Sequence, residues 1–165
     1  MLGVVEEKFA GQRAKLKVVN CLLRLGLSVS KQGKIYCEKI EISPAKMARA
    51  LGVDRRVIIQ TAKEIVADPT LFSVFSHMLP IANVASAAKF LGHDSFEVGA
   101  EPHEVGVVAK VSKVLADHKI SIRQIITDDP DLYPDPKMIV VVEGKLPQKA
   151  IEQLRKLGLN SILLR

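Results

Sequence analysis

Residues 95–119 read SFEVGAEPHEVGVVAKVSKVLADHK, and this stretch decides how the second half of the chain folds. Its first residues suit a short strand. Val107, Val108, Val111, Val114 and Leu115 then recur at helical spacing and mark one apolar face, with Lys110, Lys113 and Asp117 mostly on the other. Between strand and helix stand Glu101, Pro102, His103, Glu104, Val105 and Gly106. A helix entrance presents unpaired N–H groups and the positive end of the macrodipole, which suits a carboxylate. Gly106 has no Cβ, so a ligand can come close to the backbone there. The turn is the best candidate in the chain for a small-molecule site. For His103 and Glu104, contact with a ligand's amino group or a metal and a plain solvated turn are equally good readings.

The residues that follow complete a unit. Residues 120–128, ISIRQIITD, set Ile120, Ile122, Ile125 and Ile126 against polar residues and predict a strand. A loop punctuated by Pro130, Pro134 and Pro136 leads to residues 137–143, KMIVVVE, whose β-branched run predicts a central strand. Ala150, Ile151, Leu154 and Leu157 predict a helix over residues 148–157 that stops before Gly158, and residues 161–164 a last short strand. The order is β-α-β-β-α-β, a ferredoxin-like arrangement with both helices on one face of a four-stranded antiparallel sheet. The turn and this order together resemble the ACT domain, over residues 95–165. The matching residues are Val105-Gly106-Val107-Val108 and, after the helix, Lys119-Ile120-Ser121-Ile122. Val105 stands where that family usually has proline. The resemblance implies an amino-acid effector whose carboxylate meets backbone N–H groups around residues 105–108. It also implies side-chain contacts from Ser121, Ile122 and Arg123, and pairing of the domain into a homodimer or higher homo-oligomer. A domain that only dimerises and binds nothing is the other reading.

Charge separates this half from the rest. The 165 residues carry a net charge of +6. Residues 1–93 hold 14 Lys/Arg against 7 Asp/Glu, and residues 94–165 hold 10 against 11. A basic module that meets polyanions, joined to a near-neutral module with another task, fits this asymmetry better than surface solubility alone. The expected domains are therefore 1–93 and 94–165, with the boundary at Gly92-His93-Asp94.

Within the basic half, residues 4–25 predict a long helix, softly broken at Gly11 and capped by Gly26. Residues 27–42 predict a hairpin turning at Lys31-Gln32-Gly33-Lys34, with Tyr36, Cys37, Ile40 and Ile42 continuing one extended segment. Its basic tip could touch phosphates as a wing does, although such tips are more often simply solvated. Ser43 is expected to cap a short helix that has Pro44 in its first turn and Met47, Ala48 and Leu51 inward. A turn at Gly52-Val53-Asp54 leads to a second helix with Ile58, Ala62, Ile65 and Val66 inward. Ala48, Gly52 and Ile58 resemble the helix-turn-helix of DNA-binding proteins: a small residue at the helix crossing, a glycine in the turn, an aliphatic behind it. The second helix would then expose Arg55, Arg56, Ile59, Gln60 and Lys63, types that read base edges or hold phosphate. Lys46 and Arg49 on the first helix would meet the DNA backbone. Asp68-Pro69 ends the second helix, Leu71, Phe72, Val74 and Phe75 pack inward, and an alanine-rich helix is expected over residues 79–91.

The fold class is thus α+β: a mainly helical helix-turn-helix domain with a small hairpin, then a ferredoxin-like ACT-like domain. This pairing resembles a group of archaeal proteins predicted to regulate amino-acid metabolism. The resemblance implies a regulator, transcriptional in output, whose partners are DNA, an amino-acid effector and a second copy. A regulatory subunit that docks on an amino-acid biosynthetic enzyme is the alternative. No enzyme activity, cofactor, metal or membrane partner is expected. The chain shows no P-loop, dinucleotide fingerprint or zinc-ligand cluster, and Asp128, Asp129, Asp131 and Asp135 do not match calcium-loop spacing. Cys21 and Cys37 are not closely spaced, which favours a reducing, cytoplasmic setting.

Overall fold

A computed structural model of the chain describes residues 5, 7–101, 103–130, 132, 133 and 135–164. Val4, Pro102, Asp131, Pro134 and Arg165, which entered the sequence reading, lie outside the described residues. The fold is mixed α and β with two antiparallel sheets, and the chain divides into two compact units, Met1–Ile81 and Ala82–Arg165.

In the first unit, helix α1 (Arg13–Leu25) packs on α3 (Arg55–Ala67), and α3 also packs on α2 (Pro44–Leu51) and α4 (Pro69–Phe75). The apolar periodicity of these helices produces the core: Val18, Val19 and Leu22 of α1, Ile58 and Ile65 of α3, and Leu71 and Phe75 of α4 are all buried. The expected helix over residues 4–25 is shorter than its pattern, because the chain turns at Gly11 and α1 begins at Arg13. Strands β1 (Ser28–Val29), β2 (Ile35–Cys37) and β3 (Ile40–Ile42) form a three-stranded sheet in chain order. The single extended segment expected over residues 36–42 is therefore corrected. The chain reverses at Glu38, whose φ of 53° is a conformation few side chains adopt, and Cys37 pairs with Ile40.

Ser43 makes no side-chain cap to α2, although Pro44 does occupy its first turn. Asp54 does cap α3, accepting from Arg56 N at 2.7 Å. Asp68 both ends α3 and starts α4, accepting from Thr70 N at 3.0 Å and Leu71 N at 3.1 Å. Those bonds, with the nearby Lys8 ammonium, lower the Asp68 pKa.

In the second unit, strands β4 (Asp94–Gly99), β5 (Ile122–Thr127), β6 (Lys137–Val142) and β7 (Ser161–Leu164) alternate with α5 (Val107–Asp117) and α6 (Gln148–Arg155) in the expected βαββαβ order. The sheet order β7-β4-β6-β5, antiparallel throughout, is that of a ferredoxin-like fold. Period-two alternation decides the faces. Phe96, Val98, Val140 and Val142 point to one side and meet Val111 and Leu115 of α5 and Leu154 of α6.

The other face is covered by residues expected to belong to the first domain. Ala85 and Ala88, in a 3-10 helix spanning Ala85–Leu91, pack on Val141 with Ile139 beside them. Ser95 Oγ donates to Ala85 O at 3.1 Å. Gln124 holds the segment on both sides of Asn83: its Nε2 donates to Ala82 O at 2.6 Å and its Oε1 accepts from Val84 N at 3.1 Å. The compact units accordingly divide at Ile81/Ala82 rather than at Gly92-His93-Asp94. The α-helix expected over residues 79–91 forms only as its 3-10 second half, since Gln124 and Asn83 bind backbone N–H groups that a helix would need.

Asp94 ties the start of β4 to the loop before α6. Its carboxylate accepts from Lys145 Nζ at 2.8 Å and Leu146 N at 2.9 Å. Burial alone would raise its pKa; these bonds and the Lys145 and Lys89 charges outweigh that and hold it low. A carboxyl depressed in the folded state stabilises above the unfolded carboxylate range, about pH 4, and that contribution disappears as pH falls through the folded value. Asp94→Asn should therefore lower the urea midpoint at pH 6, and should lose less than the native chain between pH 6 and pH 3.

Candidate functional site

The β4–α5 turn opens onto a cleft of about 510 Å³ at one end of the second unit's sheet. Three elements meet there because of the register. Gly99 at the end of β4 pairs with Lys137 at the start of β6, and Met138 pairs with Thr127 at the end of β5. The lining combines an apolar part, which includes Val98, Ala100, Val107, Val108 and Met138, with Glu101, His103, Glu104, Asp128 and Lys137. Gly106 takes φ 86° as the N-cap of α5 and supplies no side-chain cap. The N–H groups of Val107, Val108 and Ala109 belong to the first turn, which has no intrahelical acceptors, and all three residues line the cleft. His103 is also left-handed, at φ 65°.

The carboxylates are partly engaged. Glu101 accepts from Asn160 Nδ2 at 3.0 Å, Glu104 from Lys110 Nζ at 2.7 Å and Asp128 from Lys137 N at 3.1 Å. Lys137 Nζ lies 3.3 Å from Asp135 and 3.9 Å from Glu97. Acidic oxygens therefore outnumber ammonium groups on the lining, while the helix entrance supplies positive potential. An anionic group at the helix end and a cationic group toward Glu101 and Asp128 would both be accommodated. Among the described residues no group of three or more His, Cys, Asp or Glu is placed to hold a metal ion, and no helix is long and apolar enough to cross a membrane.

Of the residues expected at this site, His103, Glu104, Gly106, Val107 and Val108 line the cleft. Val105 belongs to the turn but is 91% exposed and is not part of the lining. Ser121, Ile122 and Arg123 are not brought to it. They follow the C-terminus of α5, an eleven-residue helix about 16 Å long, so they begin β5 at the end of the sheet away from the α5 entrance. Ile122 pairs with Val142 and packs against the core, and Arg123 lies 3.7 Å from Glu143. The strand returns to the cleft only at Thr127 and Asp128, which the sequence reading missed. The signal was available: a strand entered from the helix C-terminus must finish near the helix N-terminus.

No family model matches the chain, and no curated protein matches it. Solved structures do. The ligand-free regulatory subunit of aspartate kinase from Thermus thermophilus is 27% identical over 46% of this chain and 51% of that chain, with a TM-score of 0.39. A homoserine dehydrogenase from Thiobacillus denitrificans is 16% identical over 68% of this chain and 28% of that chain, with a TM-score of 0.35. This chain thus spans 51% and 28% of the lengths of those two proteins. Both likenesses are partial, and the ferredoxin-like fold stands on strand order and register.

In the first unit, Arg55, Arg56, Gln60 and Lys63 are exposed on α3, with Arg56, Gln60 and Lys63 at i, i+4 and i+7 on one face. Lys46 and Arg49 are exposed on α2. Among the described residues, none of these five cations has an ion pair, whereas Lys15 is paired to Glu64 on the same helix as Arg55. The β1–β2 turn comes close to α3: a Cβ on Gly33 would stand 3.9 Å from Lys63 Cγ.

Proposed function

We propose that the C-terminal unit is an ACT-like sensor for an amino acid or close analogue, coupled to an N-terminal helix-turn-helix that binds DNA. The protein is then an amino-acid-responsive regulator, transcriptional in output and working as a homodimer. One observation carries the sensor reading: the N–H groups opening α5, which have no intrahelical acceptors, the apolar wall and the Glu101 and Asp128 carboxylates surround one cleft. That combination suits a zwitterion with a modest side chain. The DNA reading draws on Arg55, Arg56 and Lys63 of α3, which have no ion pair among the described residues, and on the neutral amide of Gln60 between them. A twofold dimer would offer two such helices to half-sites about 34 Å apart, and effector binding would bias their spacing.

The test is thermal unfolding against the twenty amino acids, one at a time. A ligand that binds only the folded protein adds stability by mass action, about 2.7 kcal/mol at one hundred times Kd, and so raises the midpoint. One or a few amino acids should raise the midpoint by several degrees, and Glu101→Gln with Asp128→Asn should abolish the shift while leaving the unliganded midpoint nearly in place. No shift with any amino acid would overturn the sensor reading.

A further inference from the structure

The first unit contains a larger cleft, about 730 Å³, which the sensor reading does not use and the DNA reading touches only at Lys46. Its walls come from α1, Leu27, strands β2 and β3, α2 with Ser43 before it, and Pro80 and Ile81. They are mainly aliphatic: Leu25, Leu27, Ile40, Ile42, Leu51 and Ile81. Leu25, Ile40 and Ile81 are 57%, 69% and 74% exposed, so apolar area faces water around one concavity. Small-molecule sites are typically concavities of this size, apolar with a few placed polar groups.

The polar groups decide the occupant. Two charged side chains line the cleft, Glu41 and Lys46. The Glu41 carboxylate is neutralised by Lys34 Nζ at 2.8 Å. Lys46, in the first turn of α2, has no ion pair among the described residues. The cleft therefore offers a hydrocarbon-lined body and one uncompensated cation at its rim. We infer that it binds a medium-chain aliphatic monocarboxylate, the chain against Leu25, Ile40 and Ile81 and the carboxylate on Lys46. Where the DNA reading also holds, such a ligand takes Lys46 from a phosphate and weakens DNA binding; the binding inference itself does not depend on that reading.

Cys21 and Cys37, the chain's two cysteines, both line this cleft and report its occupancy. Burial raises the Cys21 pKa, with Arg24 opposing, so alkylation is followed at mildly alkaline pH. The experiment uses the full chain with decanoate below its micellar concentration, and decanol as the uncharged match. Decanoate should raise the unfolding midpoint and slow N-ethylmaleimide alkylation of both thiols at least about fivefold. Lys46→Gln should weaken decanoate by about tenfold and leave decanol unchanged, a ratio that loss of folding would not produce. Ala50→Trp, which fills the cleft from α2, should abolish both effects. The inference is overturned if decanoate neither shifts nor protects, if decanol binds as well as decanoate, or if protection persists in Ala50→Trp. It is equally overturned if both thiols are protected by rising protein concentration without decanoate, since the occupant is then a second copy.

Discussion

Gly26→Ala should lose on the order of 3–4 kcal/mol of stability in the N-terminal unit, whereas Gly52→Ala should lose about 1 kcal/mol. The two glycines end α1 and α2 with nearly the same backbone, φ 61° and 63°. Both substitutions therefore incur the same left-handed penalty. Only Gly26 has a neighbour: a Cβ there would lie 2.2 Å from Leu79 O and 2.6 Å from Leu79 C, while one on Gly52 would meet nothing within 4 Å. Those are backbone atoms, so no rotamer change relieves the overlap and residues 79–80 must move. Calorimetry with hydrogen exchange checks it, the expected loss of protection being in α1 peptides of Gly26→Ala. Equal midpoints for the two variants would mean that the approach of Leu79 to α1 is not maintained in solution.

Replacing Arg55 and Arg56 together by glutamate should reduce DNA affinity by about a hundredfold at 0.1 M salt. The matching alanine pair should lower the slope of log affinity against log salt by about 2, one for each phosphate contact. Both arginines open α3, are exposed and carry no ion pair among the described residues, so their replacement removes charge without breaking the core. Gln60→Ala should act differently, relaxing preference among sequences while overall affinity to random DNA stays close to native. Fluorescence anisotropy across a salt series separates the two behaviours. Affinity that ignores the arginine pair would remove DNA from the proposal and turn attention to docking on a protein.

Much of the second unit could be read from residues alone, for physical reasons. The apolar run of β6 and the valine stripe of α5 are long and periodic, and Gly106 marks the junction between β4 and α5. Local pattern is less informative where one residue serves two elements or a distant side chain intervenes. Asp68 ends one helix and caps the next, so the short α4 was hidden inside an apolar stretch. Residues 79–84 have helical composition, yet Gln124, forty positions away from Val84, takes the N–H that a helix would use. Candidate-site residues on the turn were legible because they are contiguous. Glu101 was visible beside them but not singled out, and Thr127, Asp128 and Lys137 join only through strand register, which periodicity does not report.

The cover formed by residues 82–93 has a practical consequence for anyone who separates the two halves. Cutting before Asp94 leaves the strands and helices of the βαββαβ body formally complete. It also strips Ala85 and Ala88 from Val141 and Ile139, and deprives the Ser95 hydroxyl and the Gln124 amide of their partners. The bared stripe is apolar and lies on a sheet that ends in two edge strands, a combination that favours self-association in concentrated solution. A fragment that begins at Ala82 keeps its own lid, and is the one to express.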